Sequence, residues 1–247
     1  MPDPTFDYQS VAGDYQFRAM REGPRLQRFW HVGKLLVWDE LIAPQIRDDP
    51  PTPIIEVGCG AGLLLQHLAQ QPGLKVGADI NLQALTFLSK RFVEIGRPDQ
   101  FFGVESFGER LPFNEGVFGG VILSEVVEHI SQPQFMICEV NRVLMPGGWC
   151  YLTTPNYHSF WPYLERIVDR FGSAPHLAGE QHISPFNRQK LINLLDGWQI
   201  EIVTSFYRFS PFFSMISEEW GKRELLRECQ RNLQSGMLLA CLARKPL

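Results

Sequence analysis

Five residues at the front of the chain have types and spacing suited to holding a charged, nucleoside-like ligand. Glu56, Gly58, Gly60 and Gly62 lie in the run IIEVGCGAG, and Asp79 follows in VGADIN. Alternating glycines after a short apolar stretch permit positive φ and let a ligand approach the main chain. A helix starting there offers its unpaired N–H groups. Leu63 stands where a dinucleotide loop wants its third glycine, which counts against NAD or FAD. Glu56 would repel a pyrophosphate but accept a sulfonium or an ammonium. Asp79, roughly 20 residues past the first glycine, is placed for a bidentate bond to two ribose hydroxyls. Ile80 beside it can pack on a purine face.

A second group follows an apolar run in SEVVEH. Glu125, Glu128 and His129 are spaced i, i+3 and i+4, so a helical turn would put all three on one face. Two carboxylates and an imidazole suit Mg²⁺, Mn²⁺ or Zn²⁺. The competing reading needs no metal: Glu128 caps a helix, and His129 faces an acceptor as a base or as a wall.

The pattern around these residues alternates strand and helix. Ile54–Gly58, Leu74–Ile80, Phe101–Val104, Val117–Leu123 and Trp149–Thr154 read as strands. A helix starts at Leu63, a second follows the N-cap Asn81, and a third opens at Ser131 and Pro133. Met136, Val140 and Val143 share a face of the third, and Pro146-Gly147-Gly148 ends it. This rhythm predicts an α/β fold, a parallel sheet with helices on both faces and ligands at the strands' carboxyl ends. Residues 14–46 read as helical with a break at Gly23-Pro24, which makes residues 1–49 an N-terminal helical cap. The arginines at 18, 21, 25 and 28 are either a solvated helix surface or an anion contact.

Composition sets the outer limits. A chain of 247 residues with 45% hydrophobic and 20% charged residues is an ordinary globular protein. The net charge of −4 argues against a general nucleic-acid partner. No apolar run approaches the ~18 residues of a membrane span, and the N-terminal residues do not read as a signal peptide. Five cysteines without a C-x-x-C pair fit a reducing cytoplasm.

EVGCGAG, GADIN, LPF (Leu111–Phe113), SEVVEH, RVLMPGG and TTPN together resemble the successive motifs of class I S-adenosylmethionine-dependent methyltransferases, over roughly residues 50–205. The resemblance implies a Rossmann-like seven-stranded sheet of order 3-2-1-4-5-7-6 with strand 7 antiparallel. It assigns Glu56, Gly58, Cys59, Gly60 and Gly62 to the methionine end of S-adenosyl-L-methionine. Asp79 and Ile80 go to ribose and adenine, and Phe107, Gly108 and Ser124 complete the donor contacts. Two positions depart from the family. Phe107-Gly108 replaces its usual Asp-Ala, and Phe118-Gly119 its usual Phe-Asp. The SEVVEH segment is similar to that of ubiquinone-pathway O-methyltransferases and of plant small-RNA 2′-O-methyltransferases. The latter also imply His182 as a further metal ligand.

The acceptor is expected over the fourth and fifth strands, under insertions near 157–186 and 206–235 of a methyltransferase domain spanning 50–247. The second insertion opens FYRFSPFFSMI, which suits a lid or core, a homodimer contact or a membrane contact. Phe209, Phe212, Phe213 and Trp220 are expected to shield the acceptor. A lid of that kind favours a small, partly apolar acceptor, and the resemblance favours methylation of its hydroxyl. N- or C-methylation, and a catalytically silent donor-binding module with a protein partner, are the alternatives.

Overall fold

Apolar residues alternate across the central strands, and both alternating sets are buried. The computed structural model describes residues 7–163, 182–231 and 233–247. Its strands are β1 (Ile54–Val57), β2 (Lys75–Asp79), β3 (Phe101–Glu105), β4 (Phe118–Ser124), β5 (Leu144–Pro155), β6 (Gln199–Phe206) and β7 (Leu238–Arg244). They form one sheet of order β3-β2-β1-β4-β5-β7-β6. Strands β1 to β5 pair in parallel, and β7 runs antiparallel between β5 and β6. Order and direction are those the resemblance implies.

The helices are α1 (Tyr15–Glu22), α2 (Arg25–Val37), α3 (Leu63–His67), α4 (Leu82–Glu94), α5 (Pro133–Val143), α6 (Arg188–Leu194), α7 (Ser210–Ile216) and α8 (Glu218–Gln230). On one sheet face Ile55, Val57, Val121 and Leu123 pack with Met136, Val140 and Val143 of α5 and Leu191 of α6. On the other, Ile54, Ile122, Trp149 and Tyr151 pack with Phe29 and Val37 of α2 and with Leu225 and Cys229 of α8. A strand buried on both faces reads as an unbroken apolar run, as β4 does. Each such side chain stabilises the fold by about 1.5–3 kcal/mol relative to exposure.

The predicted helix break at Gly23-Pro24 separates α1 from α2, and Asn81 caps α4 by accepting from the N–H groups of Gln83 and Ala84. The fifth strand differs from expectation. It begins at Leu144, directly after α5, so Pro146-Gly147-Gly148 lies within it. Phe118 pairs with Leu144 but Gly120 pairs with Trp149, so the turn residues form an irregularity rather than a boundary. Arg142 of α5 donates to the carbonyls of Leu111 and Phe113, while Glu139 accepts from the N–H of Leu111. That clamp ties the LPF and RVL segments together.

The departure at Gly119 has a steric cause. A Cβ there would lie 1.8 Å from Thr52 Oγ1 and 2.6 Å from Thr52 Cβ. Part of residues 206–235, expected as a lid or core, a homodimer contact or a membrane contact, packs into the core through Phe206, Tyr207, Leu225 and Cys229. Buried Glu228 accepts from the N–H groups of Tyr207, Phe209 and Ser210 and from the Ser210 hydroxyl. Tyr207, held at φ 65°, donates its phenol to Trp30 O at 2.6 Å.

Candidate active site

The loop after β1 takes the conformation its glycines allow. Gly58, Gly60 and Gly62 have φ of 66°, 49° and 59°. A Cβ at Gly62 would lie 2.4 Å from Leu88 Cδ2. The Gly60 N–H donates to Asp79 Oδ2 at 2.7 Å and the Asn81 N–H to Asp79 Oδ1 at 2.8 Å. Asp79 therefore joins the ends of β1 and β2, with burial raising its carboxyl and these N–H donors drawing it back down. Glu56 is buried beneath the loop, and its Oε2 has no hydrogen-bond partner. Burial pushes the Glu56 carboxyl up to about 8, against the Leu65 N–H and the charge of Lys34. Cys59 is buried, which raises its thiol well above the usual range and leaves it an inert wall. Ile80 is half-buried beside Asp79. Phe107 stands 67% exposed, whereas Gly108 is packed where a Cβ would meet Met136 Cε at 2.2 Å.

The end of β4 carries the second group, in an arrangement the sequence did not predict. Glu125 has φ 56°, and only Val127–His129 form a helical turn, of the 3₁₀ kind. Glu125 therefore does not share a face with Glu128 and His129. Its carboxylate turns to α2 and pairs with Lys34. Burial alone would raise it, but Lys34, His31 and a hydrogen bond from Trp30 hold it below the usual carboxylate range. Ser124 Oγ lies 3.3 Å from Thr153 Oγ1.

Glu128, His129 and His182 do come together, with one potential ligand atom of each within 4.8 Å of the others. The N–H of Ser184 donates to Glu128 O and its hydroxyl to Ile130 O, which carries His182 to the end of β4. Glu128 is fully buried. Its Oε2 accepts from the Thr154 hydroxyl at 3.0 Å, and its Oε1 has no hydrogen-bond partner. Burial, and then the charge of Glu125, push the Glu128 carboxyl up to about 8. His129 Nε2 lies 4.0 Å from Glu128 Oε1. Each imidazole is also held by a phenol: Tyr8 OH is 2.7 Å from His129 Nδ1, and Tyr157 OH is 2.8 Å from His182 Nδ1. An orphaned buried carboxylate oxygen facing two imidazoles fits a cation, or a proton passed between acid and base.

Farther out, Phe209, Phe212, Phe213 and Trp220 are 41–52% exposed, and the Phe212 ring meets that of Phe160. Part of the first expected insertion, residues 164–181, lies outside the described residues. The arginine stripe dissolves into local roles. Arg18 pairs with Asp14 and Arg28 with Glu218, Arg21 lies over the Phe17 ring, and Arg25 donates to the carbonyls of Met215 and Ile216.

A family model described as a methyltransferase domain matches residues 55–152, from the strand beneath the glycine loop through β5. Residues 55–152 thus carry a methyltransferase domain. The chain is 29% identical over 106 residues to a ubiquinone biosynthesis O-methyltransferase of Paracidovorax citrulli, covering 42% of this chain and 43% of that one. With the mitochondrial ubiquinone biosynthesis O-methyltransferase of Rattus norvegicus it shares 30% identity over 188 residues, or 70% of this chain and 53% of the other. The chain thus spans about half the length of these curated relatives. A geranyl diphosphate methyltransferase solved with S-adenosylmethionine superposes with a TM-score of 0.63 at 16% identity, over 96% and 92% of the two chains. At that identity the likeness is one of fold.

Several groups around the methyltransferase domain's candidate site were not anticipated from sequence. Tyr8, Gln16, Lys34 and Tyr157 touch the candidate residues, and Gln16 Oε1 accepts from the Ala61 N–H at 3.2 Å. Only Tyr157, directly after TTPN, sat near a recognised motif. Among the described residues no helix is long and apolar enough to cross a membrane.

Proposed function

We propose that this chain transfers the methyl group of S-adenosyl-L-methionine to a hydroxyl oxygen of a small, partly apolar molecule. The observation that carries this reading is the meeting of Glu128, His129 and His182 at the end of β4, beside the strand that leads into the glycine loop. In it, Gly58, Cys59, Gly60 and Gly62 take the methionine end, and Asp79 accepts from both ribose hydroxyls. Ile80, Phe107 and Gly108 border the adenine, Ser124 lies by the reacting centre, and Glu56 faces the cationic end of the donor. The acceptor oxygen attacks the methyl carbon in line, the carbon–sulfur bond breaks, and its electron pair stays on sulfur as S-adenosylhomocysteine. His129 takes the hydroxyl proton. Alignment in a dry cleft supplies most of the rate, and general base catalysis adds about 10²–10⁴-fold.

A specific observation favours a second reading of the same centre. The unpartnered Oε1 of Glu128 beside the two imidazoles suits a divalent metal, held by Glu128, His129 and His182 without Glu125. Such an ion would lower the acceptor hydroxyl's pKa.

The relatives' names favour oxygen over nitrogen or carbon as the atom methylated. The half-exposed Phe209, Phe212, Phe213 and Trp220 support a cover for an apolar acceptor or a contact in a homodimer. The free state of all five cysteines supports a cytoplasmic setting. Residues 1–49 act as the helical cap of a methyltransferase domain spanning 50–247. Nucleic acid is not the expected partner.

The test is methyl-labelled donor with a panel of hydroxylated aromatics, run with and without EDTA and followed by metal add-back. Label in an ether product supports the reading. Full activity in EDTA with loss in His129→Ala selects the base over the metal. Label only in N- or C-methyl products, or no turnover despite donor binding, overturns O-methylation.

A further inference from the structure

The donor groove proposed above is crossed by a segment that touches it at three places. At the ribose end, Asn81 Nδ2 donates to the carbonyls of Tyr8 and Val11 at 2.9 and 2.8 Å, and Gln9 Nε2 donates to Ile80 O at 3.4 Å. At the methionine end, Gln16 Oε1 takes the Ala61 N–H of the glycine loop. At the acceptor end, the Tyr8 phenol meets His129 Nδ1, with the two rings edge to face at 5.2 Å. Between these points Gly13 lies so close to α4 that a Cβ would come within 2.3 Å of Gln83 O.

We infer that residues 8–16 are a strap over the donor, latched by Asn81, and that through it Tyr8 is a positioning residue that orients the His129 ring when the donor is bound. This rests on the proposed donor site. A nucleoside-sized ligand entering between the ends of β1, β2 and β4 must pass the strap, so its closure follows donor entry. Closure brings the phenol to Nδ1, and the bond at Nδ1 fixes which tautomer and ring angle the acceptor meets. Donor binding thus prepares the acceptor side, and the donor binds first.

Asn81 allows the latch to be separated from the helix cap. Its Oδ1 caps α4, while its Nδ2 holds the strap. Asn81→Asp keeps the cap oxygens and removes both donors. Tyr8→Phe removes only the hydroxyl. S-adenosylhomocysteine is the probe, added to the full chain. In the wild type it slows hydrogen exchange of the amides of residues 9–16 by about tenfold or more, and it shifts the imidazole ¹⁵N resonances of His129, assigned with His129→Gln. Asn81→Asp loses most of the protection and binds about 5–10-fold more weakly, the scale of a hydrogen bond or two. Tyr8→Phe binds and protects as the wild type does, but its His129 resonances no longer respond. Binding without protection of the strap overturns the latch. An unchanged His129 response in Tyr8→Phe overturns the positioning role. No binding by the wild type instead overturns the donor reading on which both depend.

Discussion

The loops after β1 and β2 and the centre after β4 achieve rigidity by opposite means. The first is local: Gly60 and Asp79 bond to each other across 19 positions, and main-chain geometry carries most of the design. The second is assembled from afar. Tyr8 reaches His129 across 121 positions and Lys34 reaches Glu125 across 91. The local site is built mainly from its own two strand ends, with Gln16 and the chain at Tyr8–Val11 touching it from outside. The assembled one needs the N-terminal helices, α7, α8 and the chain around His182 all in place, so it is the more exposed to distant substitutions.

The strongest challenge to this contrast is Glu228→Ala. It removes an acceptor that satisfies four donors, three of them in buried hydrogen bonds, far from the glycine loop. Urea unfolding should show a loss of about 3–5 kcal/mol. A loss below about 1 kcal/mol would mean that α7 and α8 form a detachable cover and that the centre after β4 does not depend on them. Asp79→Ala probes the local half. Calorimetry should show S-adenosylhomocysteine binding weakened by about 1.5–3 kcal/mol, the scale of hydrogen bonds to a charged group, and NADH should not compete.

Glu56→Gln sharpens the contrast by pH. Burial holds the folded-state carboxyl up to about 8 against an ordinary 4.5. Its contribution to stability is therefore complete below about pH 4.5 and is lost as pH rises through about 8. Over that window the wild type should lose up to about 1.4 kcal/mol per pH unit from this group. Melting curves of Glu56→Gln should be flatter between pH 6 and 8, and parallel curves would refute a protonated Glu56. The smallest effect is expected from Phe212→Ser. At 47% exposure its cost in stability should stay within about 0.5 kcal/mol. Turnover of an apolar acceptor should fall, and unchanged turnover would remove Phe212 from the acceptor's surroundings.

The same contrast explains what could be read from the sequence. Sheet order came from the ordered motifs. The glycine loop, Asp79 and the cap at Asn81 were legible because their partners lie within one strand–helix unit. Glu125 was misread because an α-helical period was assumed where the chain makes a left-handed step and then a 3₁₀ turn. The early start of β5 was hidden because Pro146-Gly147-Gly148 looks like a stop, yet Leu144 still pairs with Phe118. Tyr8, Gln16 and Lys34 carry no local signal, since each acquires its role from a residue on another element.

The contact between Gly119 and Thr52 bears on how this chain can change by descent or by design. The family's usual acid at 119 cannot be restored while Thr52 occupies the space a Cβ would need. The clash predicts epistasis between the two positions. Replacing Gly119 with the family's commonest residue, a standard stabilising strategy, should fail here alone and become tolerable only with a smaller residue at 52. Libraries that vary one site at a time would score position 119 as immutable, when the constraint belongs to the pair.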